Sequence, residues 1–193
     1  MTTSNLATYA TASAGVTINN AIYSTKLISI KGASYTSQGI AYSAVMNSSA
    51  GGVELTGTTY NNYGVYTSNA SLITANYITI NGYAAAAVGG WIDYIGALTI
   101  NSAATGGDIT ITATGASAGG GNGLYQSGAI SATNGSDITF TSNNAISQNG
   151  AITLAANTSG TASSITYDTT TGNKTSTISG GALTITTGST SAI

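Results

Sequence analysis

Two acids sit in the same local setting, Asp108-Ile109-Thr110 and Asp137-Ile138-Thr139. A pair of carboxylates is the minimum equipment for glycoside cleavage, one protonating the leaving oxygen and the other serving as base or nucleophile. The same setting, just ahead of a short apolar–Thr–apolar run, is where Asp hydrogen-bonds the backbone of a turn, and the turn role is the one it favours. The chain has no His and no Cys, so nucleophile–base pairs of the Ser–His or Cys–His kind cannot be assembled. The other acids, Glu54, Asp93 and Asp168, are scattered. No acidic loop offers the several close oxygen ligands that calcium needs. The expectation is a protein that is not an enzyme, with no catalytic residue, no bound metal and no cofactor.

Two other patterns could support binding. Tyr60, Tyr63, Tyr66, Tyr77, Tyr83, Trp91 and Tyr94 crowd one short part of the chain. Tyr and Trp offer apolar faces with a polar tip, which suits contact with a glycan or protein at low entropic cost, so these seven form the candidate contact surface. The alternative is that they fill corners or stack on one another between layers of strands. Thr110-x-Thr112, Thr139-x-Thr141 and Thr184-x-Thr186 are Thr-x-Thr strands, and they resemble the flat faces of ice-binding β-solenoids. Lys31 and Glu54 interrupt such a face, and uneven spacing predicts that these strands do not all share one side.

The elements that must position these residues are strands. Ile28-Ser-Ile-Lys-Gly32 returns as Val53-Glu-Leu-Thr-Gly57 and as Ile78-Thr-Ile-Asn-Gly82, 25 residues apart each time. Gly39-Ile-Ala-Tyr42 and Gly64-Val-Tyr-Thr67 keep that step, as do Ser34-Tyr35 and Thr59-Tyr60. Later strands, from Leu98-Thr-Ile100 to Leu183-Thr-Ile185, keep the alternation but not the spacing. Apolar–Thr–apolar is the period-2 pattern of a half-buried strand. Asn, Gly, Ser and Asp fall between strands, where turns need them. No helical stripe appears, so the chain is predicted to be all-β. A fixed step of a few tens of residues marks a stacked array. The predicted fold is therefore a parallel β-helix, or β-solenoid, with coils of about 20–30 residues. About eight such coils, rising about 4.8 Å each, are expected. Residues 1–14 read as a leader or a frayed first coil, and 15–193 as a single β-solenoid domain, regular over 28–82 and irregular afterwards.

Composition narrows the partners. Only 4% of the 193 residues are charged, against roughly 25% in ordinary soluble domains, and the formal net charge is −2. Lys26, Lys31 and Lys174 cannot supply the phosphate contacts that nucleic-acid affinity rests on, so no nucleic-acid partner is expected. No apolar run reaches the length of a membrane span, so no insertion is expected. Met1-Thr-Thr-Ser-Asn5 has neither a basic nor an apolar signal region, so an export signal would lie outside this sequence. The last stretch, Ile185 to Ile193, reads as the opening of another coil, which anticipates a longer parent or copies stacked end to end.

Two stretches carry a resemblance. Gly123-Leu-Tyr-Gln-Ser-Gly-Ala-Ile-Ser-Ala-Thr-Asn-Gly-Ser-Asp-Ile-Thr-Phe-Thr-Ser142 and Asn149-Gly-Ala-Ile-Thr-Leu-Ala-Ala156 resemble coils of the filamentous-haemagglutinin-type exoproteins. The resemblance covers residues 27–193 as a style of repeat. It implies a passenger segment of a bacterial surface or secreted protein, exported by two-partner secretion and folded as a right-handed parallel β-helix. Such a segment would serve as a rigid stalk, a fibre subunit or an adhesive surface for a host glycan or protein.

Overall fold

A computed structural model describes residues 6–10, 14–67, 71–86, 92–101, 107–115, 122–132, 135–155, 164–169, 176–178 and 183–186. Twenty-one strands follow one another, three to a coil. The first coil holds β1 (Leu6–Ala10), β2 (Val16–Ile18) and β3 (Ile22–Ser24), and the second β4 (Ile28–Ser34), β5 (Ile40–Tyr42) and β6 (Val45–Ser48). The third is β7 (Val53–Thr59), β8 (Val65–Thr67) and β9 (Leu72–Ala75). The fourth is β10 (Ile78–Ala84), β11 (Ile92–Ile95) and β12 (Ala97–Ile100). The fifth is β13 (Ile109–Gly115), β14 (Asn122–Gln126) and β15 (Ile130–Ala132). Then come β16 (Ile138–Ser142), β17 (Ala145–Gln148) and β18 (Ile152–Ala155), and finally β19 (Ile165–Thr169), β20 (Ser176–Ile178) and β21 (Leu183–Thr186).

Every third strand pairs, always in parallel, to give three seven-stranded sheets that form the three faces of a β-solenoid. The first face begins with β1, the second with β2 and the third with β3. The seven strands described on each face are one fewer than the eight coils expected, because the circuits from Ile78 onward are longer than the early repeat. The five coils from β4 to β18 are those whose interior is described on all three faces. No helix occurs among the described residues.

The repeat seen in the sequence is the pairing register itself. Ile28 faces Val53 and Val53 faces Ile78, with Gly32, Gly57 and Gly82 in one column. Beyond β10 the circuits are longer: Ile78 faces Ile109, Ile109 faces Ile138 and Ile138 faces Ile165. Most of the additional residues fall between strands, and one inside β11 is taken up in a bulge between Ile92 and Ile95, so that both stay buried opposite Leu124 and Gln126, as they must when a slip of one residue would turn a strand inside out.

Alternation buries the apolar members. Ile30, Leu55, Ile80, Ile111 and Phe140 form one interior column. Ile40, Val65, Ile92, Leu124 and Ile146 form another. At about 1.5–3 kcal/mol per buried aliphatic side chain, such columns are the main source of stability.

The repeated glycine has a steric cause. The start of the second face presses its backbone onto the first. A Cβ on Gly57 would lie 1.8 Å from the carbonyl oxygen of Gly64, and one on Gly32 would lie 2.2 Å from that of Gly39. Only glycine permits that approach. In the longer coils the same column continues as Ala113 and Ser142.

Candidate functional site

Of the seven aromatic candidates, the structure distributes the described ones around the coil. Tyr60 lies at the corner between first and second faces, in register with Tyr35 of the coil before. Their rings are parallel within 5°, with centroids 4.7 Å apart, and both are exposed, Tyr35 at 56% and Tyr60 at 42%. This is a ladder between coils, as the stacking reading expects, and it lies at the surface. Tyr63 stacks on Tyr66 with centroids 5.8 Å apart, and Tyr66 faces outward on the second face.

Tyr83 projects from the first face, 40% exposed, opposite Thr58 of the preceding coil. Tyr77 sits on the opposite corner. Its ring covers Gly52, whose Cβ would fall 2.2 Å from it, and its hydroxyl donates to Glu54 Oε1 at 3.3 Å. Partial burial and then the Glu54 carboxylate hold the Tyr77 phenol above its usual range. Trp91 lies outside the described residues. Tyr94 is in β11, where the backbone alone is described. Thus Tyr60, Tyr83 and Tyr35 share one region, Tyr63 and Tyr66 adjoin it, and Tyr77 stands apart. Tyr35 is legible in the sequence through its repeat as Tyr60. Tyr125, outward on the second face and accepting from Asn149 Nδ2 at 3.0 Å, is legible through the match of Gly123-Leu-Tyr125 to Gly64-Val-Tyr66.

The two matched acids form a staircase at the corner leading into the first face. Asp108 Oδ1 accepts the Asp137 backbone N–H at 3.1 Å. Asp137 Oδ1 accepts the backbone N–H of Ser164 at 2.7 Å and its hydroxyl at 2.8 Å. Each carboxylate ties its coil to the next, the turn role that their setting favours. Among the described residues, no three His, Cys, Asp or Glu side chains gather as a metal site would require.

The Thr-x-Thr strands divide as their spacing predicts. Thr110 and Thr112 face Thr139 and Thr141 on the first face, whereas Thr184 lies in β21 on the third. The first-face columns extend to Thr79 and Asn81 on one side and to Thr166 and Asp168 on the other. They give way to Glu54 and Thr56, then Ser29 and Lys31.

The interior holds polar groups that the alternation alone does not reveal. Tyr42 is fully enclosed. Its hydroxyl turns toward Thr67, Ser71 and the backbone of Gly96 without a hydrogen bond of good geometry. Burial drives its phenol far above the usual tyrosine range. Further along, Gln126 and Gln148 are paired inward. Gln148 Nε2 donates to the Gly150 carbonyl at 3.0 Å, and Gln126 Nε2 to that of Gly128. The Tyr167 hydroxyl donates to Gln148 Oε1. The Tyr167 ring stacks on Phe140 at 5.2 Å.

Compared with family models, curated proteins and solved structures, the chain matches none of them. The architecture is that of a β-helix repeat protein.

Proposed function

We propose that this chain is a rigid, non-catalytic segment of an extracellular bacterial surface protein or fibre, presenting an adhesive face. The observation that supports it is the unbroken parallel pairing of seven strands on each of three faces around continuous aliphatic columns. Such a body is stiff, and its exposed aromatic corner is set at fixed positions on that frame. The partners proposed are a host glycan or protein, or further copies of the chain stacked end to end. The test immobilises the purified chain and challenges it with a glycan array, with intact cells and with soluble chain. Retention of glycans or cells is expected. Retention of soluble chain alone would assign the fibre role instead, and retention of none would overturn the adhesive reading.

A second reading rests on the paired threonines. Thr110, Thr112, Thr139 and Thr141 form a grid of hydroxyls and methyls about 4.8 Å apart along the axis and about 6.8 Å along the strand, the kind of flat array that orders water on an ice surface. Thermal hysteresis that Thr112→Lys removes would establish it. Freezing behaviour equal to that of buffer would rule it out.

A further inference from the structure

The Tyr35–Tyr60 ladder ends abruptly. In the next coil Ala84 is in register with Thr59, which sets Ala85 beneath Tyr60, and the backbone N–H groups of Ala85 and Ala86 donate to the carbonyl oxygens of Thr59 at 2.9 Å and Tyr60 at 2.6 Å. Tyr35 covers one face of the Tyr60 ring. On the other side those two residues offer only methyl groups, and Tyr60 remains 42% exposed. Tyr83 stands two residues before Ala85 on the same coil, opposite Thr58. That places it diagonally from Tyr60, about 7–8 Å away by strand geometry. One aromatic wall, a second aromatic flank and an alanine floor make a niche one coil high.

We propose that this niche binds the apolar face of a neutral pyranose ring, stacked on the open side of Tyr60. This rests on the adhesive reading above and names its ligand class. A flat aromatic face that no described residue covers suits the C–H face of a sugar, while the polar rim suits its hydroxyls. That rim consists of Thr58, Asn61 and the tyrosine hydroxyls. The ligand should be uncharged because the surroundings are. Lys31 and Glu54 lie toward the opposite end of their strands, at register positions facing Thr56 and Ser29. No charged residue belongs to the stretch from Leu55 to Ala86.

The test titrates the isotope-labelled chain with two neutral probes, a β-1,4-linked glucose pentasaccharide and an N-acetylglucosamine pentasaccharide, following backbone amide signals. Saturable shifts centred on Ala85 and Ala86 are expected with at least one probe. Tyr60→Ala should weaken binding about tenfold or more, and Tyr60→Phe, which keeps the ring, should change it by less than about threefold. Ala85→Tyr is the decisive variant. It extends the ladder by one ring, leaves the fold intact as judged by far-UV dichroism, and should abolish the shifts. Binding undiminished in Ala85→Tyr would overturn the inference while leaving the adhesive reading in place. An absence of shifts with both probes into the millimolar range would also overturn it. The glycan array and cell retention then decide the adhesive reading separately.

Discussion

The coils spanning residues 28–86 and those spanning 107–155 enclose their interiors in different ways. In the first group the inner column opposite the second face is Gly32, Gly57 and Gly82, and two backbones touch across it. The interior strand columns there are aliphatic, with Tyr42, Thr67 and Ser71 at one corner and Ser34, Thr59 and Ser48 buried at the others. In the second group the column is Ala113 and Ser142, the circuits from Ile78 to Ile109 and from Ile109 to Ile138 are longer, and Phe140, Gln126 and Gln148 occupy the space. The column is glycine from β4 through β10, where the backbone of the second face fills the space beside Gly32 and Gly57, and it takes a methyl and then a hydroxymethyl from β13 onward.

The largest test of that contrast is Phe140→Ala. It empties the widest part of the interior and removes the ring under Tyr167, so it should cost about 4 kcal/mol in urea-induced unfolding. A loss no greater than a surface change would mean the wide coils are not packed by this ring.

Gly57→Ala comes next. The added methyl meets a backbone carbonyl that has no room to move, and about 3 kcal/mol should be lost. The reciprocal change in the wide region, Ala113→Gly, should cost only about 1 kcal/mol through chain entropy. Equal losses would refute the steric account of the glycine column.

Two tyrosine-to-phenylalanine changes should then move stability in opposite directions. Tyr167→Phe removes the donor to Gln148 Oε1 and leaves that oxygen buried and unpaired. An orphaned buried acceptor of this kind should cost about 2 kcal/mol. Tyr42→Phe removes a hydroxyl that has no well-formed partner. Losing that unsatisfied group should stabilise the fold by about 1 kcal/mol. The pH dependence supplies an independent check. Burial raises the Tyr42 phenol in the folded chain, so the unfolded chain gives up that proton first, near the ordinary tyrosine value of about 10. Stability from this group is complete below that pH and falls as pH rises above it. Thermal melts between pH 9 and 12 should show a shallower decline in Tyr42→Phe than in the parent chain.

The same contrast explains what can be read in advance. The period of the narrow coils is visible because two successive circuits, Ile28 to Val53 and Val53 to Ile78, return with the same residue count and the same glycine column. The all-β class and the alternation are equally plain from strands such as Ile78-Thr-Ile80. In the wide coils the connections absorb extra residues without disturbing the first-face strands, so Ile109 and Ile138 fall in the same column as Ile78 without an even step to announce it. The aromatic corner is half legible. Tyr60 is marked by composition and by its match to Tyr35, but that their ladder stands exposed at the surface is seen only once the coils are stacked. The interior glutamines are hidden, because Gln126 and Gln148 look like solvent-facing residues until the glycine carbonyls that accept from both, and the Tyr167 hydroxyl that donates to Gln148, are brought into place.

The matching registers of the narrow coils also make length a modular quantity. The upper and lower edges of each coil display the same columns: aliphatic at Ile28, Val53 and Ile78, and glycine at Gly32, Gly57 and Gly82. Excising residues 53–77 would bring Gly52 directly to Ile78 and set Gly32 over Gly82 with no face reversed. Inserting a second copy would do the same in the other direction. Such a chain can lengthen or shorten by whole coils, about 4.8 Å at a time, through duplication and deletion of its own sequence.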